Sequence, residues 1–154
     1  MLLANPTYEQ WEQLRRNCMS TQEDLEHLNR FPYNNIRVQA DRLLPFLQHP
    51  PPLVRVWLIE ERDEVVGFIN YGNVIPGHMQ AFGLVIGLRY TRRGYGQAAL
   101  EEMIQNRAEL GIEAINGYCH QENMGIIRVM QALGFTQDLT FNDMCDANSI
   151  KFSL

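Results

Sequence analysis

Apolar residues recur every three or four positions in the first third of the chain, a period typical of helices. Trp11, Leu14 and Cys18 share one such stripe, and Thr7 with Gln10 forms a capping-box pattern just before it. The segment "MLLAN" ahead of them predicts a short first strand. The chain is therefore expected to open on a strand and a capped helix.

Two further helices are predicted before the proline run "HPPP". Thr21 is a candidate cap for a helix that carries Leu25 and Leu28 and stops near Pro32. The segment "IRVQADRLLPFLQ" predicts a third short helix, which Pro45 interrupts and the proline run ends. The run is predicted to be a loop rather than a domain boundary, because too little chain precedes it to fold alone.

The period then shortens, and β-branched and aromatic residues dominate. The segments "LVRVWLIEE" and "EVVGFINYG" predict a hairpin around the charged turn "ERDE". The segment "MQAFGLVIGLRY" predicts a third strand. Its glycines, Gly83 and Gly87, are unusual inside a strand and indicate a bulge or a close backbone approach.

Helices and strands alternate in the last part of the chain. Residues 96–110 have helical spacing that Gly111 ends, and "IEAINGYCH" predicts the next strand. Asn123 is a candidate N-cap for a helix that stops at Gly134, and "FTQDLTF" with "SIKFSL" predicts an antiparallel pair. This order predicts a mixed α/β sheet in a single domain, residues 1–154.

Composition narrows the functional classes only slightly. The chain has 154 residues, of which 45% are hydrophobic, and a formal net charge of −5, which argues against nonspecific nucleic-acid binding. The sequence shows no apolar run long enough for a bilayer and no signal-peptide pattern, so no membrane partner is predicted. Cys18, Cys119 and Cys145 lack metal-ligand spacing. They predict reduced thiols in a cytoplasmic protein that holds no metal.

Two glycines, two arginines and a helix start coincide in "YTRRGYGQAALEEMI". Gly94 and Gly96 allow a ligand to come against the main chain, and successive N–H groups in such a turn form an anion nest. Arg92 and Arg93 add charge that suits phosphate. The turn is not a Walker A loop, because no Gly-Lys-Ser/Thr follows, and it lacks the third glycine of a dinucleotide fingerprint.

Together with the downstream segment "IEAINGYCHQENMGIIRVMQALGF", this turn resembles the GNAT superfamily of acetyl-CoA-dependent N-acetyltransferases. "NMGIIRVMQALGF" is similar to the branch that includes the alanine N-acetyltransferases of ribosomal proteins. The specific match covers about residues 84–135. The resemblance implies a single-domain GNAT-like fold of the mixed α/β class. Its central sheet should be mostly antiparallel and twisted, with a splayed strand pair and flanking helices.

The resemblance also implies a cofactor site, with acetyl-CoA as the cosubstrate. Backbone groups of Ile86 and Leu88 should be left free by the splay and pair with the pantetheine arm. Asn123 should lie near the arm or the acetyl sulfur. The pyrophosphate should be held by the amides of one loop: Arg92, Arg93, Gly94, Tyr95, Gly96 and Gln97.

Several side chains that the family often uses for catalysis are replaced. Met130 stands where many members place a tyrosine that protonates the departing thiolate, and Ile126 stands where the named branch often has serine. The segment "HMQAFGLVIGLRY" also lacks the glutamate that often serves as the base. Neither Met130 nor Ile126 can donate a proton, so catalysis must rely on other groups.

The end of "NGYCHQEN" supplies the catalytic candidates, because the family places it beside the acetyl group. His120 is the leading candidate for the general base, with Glu122 as a second proton acceptor and Asn123 beside them. His78 is a further candidate near the substrate. A water chain to backbone carbonyls is the alternative.

Three functions stay open at this point. The leading hypothesis is direct transfer of an acetyl group to a primary amine, such as a peptide N-terminus or a small amine. The second is an acyl-CoA-binding sensor or partner module with weak or no catalysis, and the third is a nucleotide-binding protein. Monomer and homodimer both remain open. The resemblance implies that the amine pocket is built from the first third of the chain and from loop tips. Trp11, Phe31 and Tyr33 lie in that first third, where they either touch the substrate or pack in the core.

Overall fold

The computed structural model describes residues 1–32, 37–72, 80–139 and 148–154. Tyr33, His78 and Cys145 lie outside these ranges. Within them the chain forms six α-helices and a seven-stranded sheet. The helices are α1 (Tyr8–Cys18), α2 (Gln22–Leu28), α3 (Ala40–Gln48), α4 (Tyr95–Gln105), α5 (Arg107–Leu110) and α6 (Met124–Ala132). The strands are β1 (Leu2–Leu3), β2 (Arg55–Glu61), β3 (Glu64–Gly72), β4 (Ala81–Ile86), β5 (Asn116–His120), β6 (Thr136–Gln137) and β7 (Ser149–Ser153).

The first two helices begin at the threonines that the sequence predicts. Thr7 Oγ1 accepts the Gln10 N–H at 3.2 Å, and the Thr7 N–H donates to Gln10 Oε1 at 2.8 Å. Thr21 and Asp24 repeat this reciprocal capping box at α2. Each box satisfies two backbone donors that the first turn leaves without helical partners. The predicted starts of α1 and α2 are therefore confirmed.

Helix α3 differs from its prediction at both its start and its proline. It begins at Ala40, and Pro45 lies inside it without interrupting it. Pro45 is exposed, so water can solvate the carbonyl that loses its partner, and the next turn closes with His49 N–H donating to Pro45 O at 2.9 Å. Leu47, which is fully buried, anchors the helix to the core. Packing thus outweighs the local cost of the proline.

The sheet has the order β1-β2-β3-β4-β5-β7-β6, and its pairs are antiparallel except β4 with β5. The predicted hairpin is confirmed as β2–β3, with left-handed φ angles of 52° and 63° at Arg62 and Asp63 in the turn. Two left-handed residues give the primed turn that matches the twist of a hairpin. The predicted final pair is also confirmed, as β6 with β7.

Helices cover both faces of the sheet. The first face packs against α1, α2 and α3, and its core includes Leu14, Leu47, Leu58, Val65 and Phe68. The second face packs against α4 and α6, and its core includes Ile69, Leu100, Met103, Cys119 and Met130. Side chains alternate between the faces along each strand. A residue's place in a strand therefore decides which side of the sheet it serves.

Strands β4 and β5 are splayed, as predicted. They pair in parallel only at Ala81↔Asn116 and Phe82↔Gly117. Beyond these two pairs, the remainder of β4 and the end of β5 have no register with each other. The parallel strands run outward from a short common start and leave a cleft between their carboxyl ends.

The backbone of β4 is oriented so that its outer end presents polar groups to this cleft. The Gly87 N–H donates to Val66 O at 2.8 Å, which makes these two residues a hydrogen-bonded pair with β3. In an antiparallel ladder such pairs alternate with pairs whose N–H and C=O point outward. Ile86, the next residue back, therefore directs its N–H and C=O away from β3, toward the cleft.

Two predicted elements are shorter than expected. The predicted helix over residues 96–110 breaks at Asn106, whose ψ of 10° departs from helical geometry, and continues as α5. Asparagine is a weak helix former, so such a break is inexpensive there. The predicted strand over residues 112–120 forms only as β5. Ile112 and Ile115 are nonetheless buried, so the connection before β5 belongs to the core.

The unusual strand glycines mark close approaches rather than a bulge. A Cβ on Gly83 would lie 2.4 Å from Asn70 Oδ1, and one on Gly87 would lie 2.9 Å from Cys18 Sγ. Both distances are too short for a side chain. The close approaches are therefore made by side chains, of Asn70 at Gly83 and of Cys18 at Gly87.

Candidate functional site

The loop between β4 and α4 has the backbone geometry of an anion nest. A 3₁₀ turn, Leu88–Tyr90, follows β4, and then Arg92 adopts a left-handed φ of 63° and Gly94 one of 81°. Left-handed residues in such turns aim successive N–H groups at one point. A left-handed non-glycine residue such as Arg92 costs on the order of 1 kcal/mol, so the shape is imposed rather than relaxed.

Helix α4 continues this array of donors. Gly94 is its N-cap and offers no side chain, and the first intrahelical bond is from Ala98 N–H to Gly94 O at 3.0 Å. The N–H groups of Tyr95, Gly96 and Gln97 therefore have no helical partner. Helices α1, α2 and α6, by contrast, are capped by threonine or asparagine side chains. Helices α3 and α5 also lack a side-chain cap, but only the start of α4 among the described helices adjoins the nest. It leaves donors and the positive end of a helix dipole for a ligand there.

Gly96 brings this helix start against the cleft. A Cβ on Gly96 would lie 3.4 Å from both Ile86 Cγ1 and Leu84 Cδ2, which is van der Waals contact, so the helix start packs directly on β4. Arg92 and Arg93 are exposed beside the nest, and the Arg93 guanidinium lies 5.9 Å from the centre of the Tyr90 ring. The predicted phosphate-binding residues are thus together in one loop at the open end of β4.

The two residues predicted to contact the pantetheine arm are only partly free. The ladder directs the Ile86 N–H away from β3, but the carbonyls of Ile86 and Leu88 are both occupied. Thr91 Oγ1 donates to Leu88 O at 2.9 Å, and the Ile86 carbonyl lies 2.9 Å from His27 Nε2. The expectation that all these backbone groups are free is therefore wrong for the carbonyls.

His27 is a residue that the sequence analysis missed. It lies on α2, 59 positions before Ile86 in the chain. No motif marks it, because its contact with β4 exists only once α2 has packed on the first face of the sheet. A carbonyl oxygen can only accept, so the contact fixes the proton of a neutral His27 ring on Nε2.

Three of the predicted catalytic residues, His120, Glu122 and Asn123, lie together where β5 ends. His120 is the last residue of β5, and its Nδ1 accepts the Glu122 N–H at 3.0 Å. The Asn123 N–H donates to His120 O at 2.9 Å, and Asn123 Oδ1 accepts the Ile126 N–H at 3.5 Å as the cap of α6. The Phe31 ring lies 6.1 Å from the His120 ring, so the segment after α2 reaches this end of the cleft.

The bond from Glu122 assigns the tautomer of His120. A backbone N–H can only donate, so Nδ1 carries no proton and a neutral ring carries its proton on Nε2. The ring therefore offers a donor at Nε2, while its basic lone pair is already engaged. This arrangement counts against the predicted role of His120 as the base and favours a role as hydrogen-bond donor.

Polar side chains line the first face beside the cleft. The Cys119 side chain packs in the second-face core, and a Cβ on Gly117 would point to the same face. Because side chains alternate along a strand, Tyr118 and His120 project to the first face. Lys151 Nζ lies 5.9 Å from the Tyr118 ring and 3.4 Å from Asp138 Oδ2. An acceptor that approaches the cleft from the first face would meet these groups.

The cysteines of the described residues are not available as nucleophiles. Burial raises the pKa of the Cys119 thiol to about 12. Burial, and then the nearby Asp24 carboxylate, raise the pKa of Cys18 to about 12. Met130 is fully buried in the second-face core and has no proton to give. The site therefore favours a direct transfer without a covalent thioester on the protein.

These two thiols should make the fold sensitive to alkali. An exposed thiol has a pKa of about 8.5, whereas burial raises the pKa of Cys18 and of Cys119 to about 12 in the folded protein. Between those values the unfolded chain binds fewer protons, so the free energy of unfolding should fall as pH rises. Urea unfolding from about pH 8 to 10 of the wild type, Cys18→Ala and Cys119→Ala should show a shallower fall in each variant. An unchanged slope in both would contradict the assignment.

The described residues hold no grouping of three or more His, Cys, Asp or Glu side chains suited to a metal ion. In the same part of the chain, none of the helices has the length and apolar character needed to cross a bilayer.

Comparison with known proteins agrees with this geometry. The family model described as the acetyltransferase (GNAT) domain matches residues 1–136. A search of curated protein sequences finds no match.

Solved structures share the fold at low identity. An acetyltransferase from Thermus thermophilus has a TM-score of 0.70 and 18% identity, and the match covers 100% of this chain and 95% of that one. A ribosomal-protein-alanine N-acetyltransferase from Brucella melitensis has a TM-score of 0.68 and 16% identity, and the match covers 99% of this chain and 97% of that one. The N-acetyltransferase PseH from Campylobacter jejuni, solved with acetyl coenzyme A, has a TM-score of 0.63 and 18% identity. The match covers 100% of this chain and 95% of that one.

Proposed function

This chain belongs to the GNAT acetyltransferase family, as its two motifs predicted, and we propose that it moves the acetyl group of acetyl-CoA directly to a primary amine. The acceptor is the N-terminus of a peptide or a small amine. The observation that carries the proposal is the nest at Arg92 and Gly94, followed by the uncapped start of α4 at the mouth of a splayed strand pair. A diphosphate held there leaves its attached arm beside β4.

The residues present fit the cosubstrate. The N–H groups of residues 95–97, without helical partners, would donate to an anion, and Arg92 and Arg93 add positive charge on the surface. The Leu88 N–H would hold the amide-containing arm along the open edge of β4, as a neighbouring strand would. The bound group supplies an activated thioester, and the protein supplies position and polarity.

Two groups of the chain can stabilise charge on the thioester. The Ile86 N–H points into the cleft and would polarise the carbonyl, as an oxyanion hole does. His120, with its proton on Nε2, would donate a second hydrogen bond from the β5 side. A neutral imidazole acts in this way as an electrophile rather than as a source of protons. The proton of the amine would pass to water or to Glu122, whose side chain is exposed.

A second function, an acyl-CoA sensor with weak or no catalysis, is favoured by one observation. Met130, at the position where many family members carry tyrosine, is enclosed in the core, and a Cβ on Gly117 would lie 2.6 Å from its Sδ. The thiolate therefore receives no proton from α6. A sensor would keep the nest and the open edge of β4 but would transfer the acetyl group weakly or not at all.

Both functions predict selective stabilisation by CoA. CoA and acetyl-CoA should raise the melting temperature, whereas ATP and NAD should not, because they lack the arm that β4 would hold. Binding to the native state alone adds about 2.7 kcal/mol at a hundredfold excess over Kd. Equal stabilisation by NAD, or none by CoA, would contradict the cosubstrate.

A thiol-release assay then separates the two functions. Free CoA should appear when acetyl-CoA is mixed with the protein and a panel of peptides, polyamines and aminoglycosides. Release with at least one amine supports the transferase. Binding of CoA without release for any amine leaves the sensor.

A further inference from the structure

His27 occupies a place on the edge of β4 that no motif assigns to it. Its Nε2 lies 2.9 Å from the Ile86 carbonyl oxygen, and the contact is partly buried. The two residues come from opposite sides of the first-face core, since α2 lies over the sheet and packs on the 3₁₀ turn Leu88–Tyr90. The bond is thus a long-range contact made by the fold, not by local sequence.

The Ile86 carbonyl, which accepts this bond, points outward from the open edge of β4. Ile86 sits between hydrogen-bonded pairs of the β3–β4 ladder, so its C=O is directed away from β3. A strand laid against this edge would donate an N–H to the same oxygen. His27 therefore fills, with a side-chain donor, a backbone position that an added strand or an amide chain would otherwise use.

We propose that His27 is a positioning residue that competes with the amide arm of acyl-CoA for the Ile86 carbonyl. This inference rests on the proposed function, since it needs the arm to lie along β4. His27 leaves the carbonyl when the arm is held and returns when the edge is empty. The ring thereby keeps a polar group of the edge satisfied between turnovers, at the expense of cofactor affinity.

The competition makes a prediction opposite to that of an ordinary structural contact. Loss of a merely structural residue weakens binding or leaves it unchanged. Loss of a competitor strengthens it. The net free energy of a hydrogen bond between neutral groups is modest, so His27→Ala should lower the Kd for CoA by about 2- to 10-fold. His27→Gln retains an N–H donor near the position of Nε2 and should bind CoA like the wild type.

A probe without the arm provides the internal control. Adenosine 3′,5′-bisphosphate carries phosphates but no pantetheine, so its affinity should be the same in the wild type, His27→Ala and His27→Gln. Calorimetric titration of each protein with both ligands measures the relevant affinity ratios. Side-chain ¹⁵N spectra of the wild type provide a second readout. The His27 Nε2 signal should shift on addition of CoA and stay in place with the bisphosphate.

The outcomes are distinct. Tighter binding of CoA alone in His27→Ala, together with the CoA-specific shift of the His27 signal, supports the competition. CoA binding that is unchanged or weaker in His27→Ala, or that tightens equally for the bisphosphate, overturns it while the proposed function stands. Wild-type protein that binds neither ligand removes the proposed function and the competition together.

Discussion

Gly94→Val is expected to lower the affinity for CoA by at least about 100-fold. The valine would oppose the left-handed φ of 81° and place its side chain in the open space where the nest receives an anion, since a Cβ there meets no atom within 4 Å. Two charge-assisted hydrogen bonds lost to a phosphate cost roughly 3–6 kcal/mol together, which gives this size of effect. Calorimetric titration of the wild type and of Gly94→Val with CoA measures this loss of affinity.

The chain offers a matched control in Gly111. Gly111 is also left-handed, with φ of 69°, and also has no atom within 4 Å of its missing Cβ, but it ends α5 away from the nest. Gly111→Val should thus carry a similar backbone cost without losing CoA. Arg92→Ala should weaken CoA by less than about fivefold, because an exposed charge is screened. If Arg92→Ala proves worse than a folded Gly94→Val, the main chain is not the dominant contact.

His120→Ala is expected to lower kcat at least about tenfold, with the Kd for acetyl-CoA nearly unchanged. Its Nε2–H would lose contact with the charge that develops on the thioester, and loss of one such donor typically costs about 10²- to 10³-fold. The nest is a separate part of the molecule, so the substitution should leave the affinity for acetyl-CoA nearly unchanged. Steady-state kinetics with the best amine from the panel, together with CoA titration, measure the two effects.

Two further measurements separate a donor from a base. His120→Gln keeps an N–H near Nε2 and should recover part of the activity, whereas His120→Asn should not. If His120 is only a donor, the acid limb of the pH–rate profile should persist in His120→Ala. An acid limb that vanishes there would restore the base role that the sequence analysis predicted for His120. A kcat within about twofold of the wild type would remove His120 from the mechanism.

The parts of the fold that the sequence predicted well are those governed by neighbours in the chain. The capping boxes at Thr7 and Thr21, the β2–β3 hairpin and the cap at Asn123 each depend on residues within a few positions. The nest was predictable for the same reason, because glycine spacing and a following helix are local signals. The splay itself followed from the resemblance to a known family, not from the periodicity.

The features that the sequence analysis mispredicted or did not find depend on tertiary packing. Pro45 reads locally as a helix break, but burial of Leu47 holds α3 together around it. His27 meets Ile86 across 59 residues, and no pattern within α2 could indicate that contact. The donor character of His120 likewise depends on the turn that brings the Glu122 N–H to Nδ1. Chemistry at this site is decided by contacts that form only after the helices have packed.

The short pairing between β4 and β5 has a mechanical consequence. Backbone hydrogen bonds join the two halves of the sheet over only two residue pairs, whereas the second-face core, with Phe82, Cys119 and Met130, spans the junction. Hydrophobic contacts are non-directional and tolerate small changes in spacing better than hydrogen bonds do. The width of the cleft can therefore adjust to its contents while every rung of each half stays intact. A small change in the width of the cleft would thus disturb apolar packing at the junction rather than the hydrogen bonds within either half of the sheet.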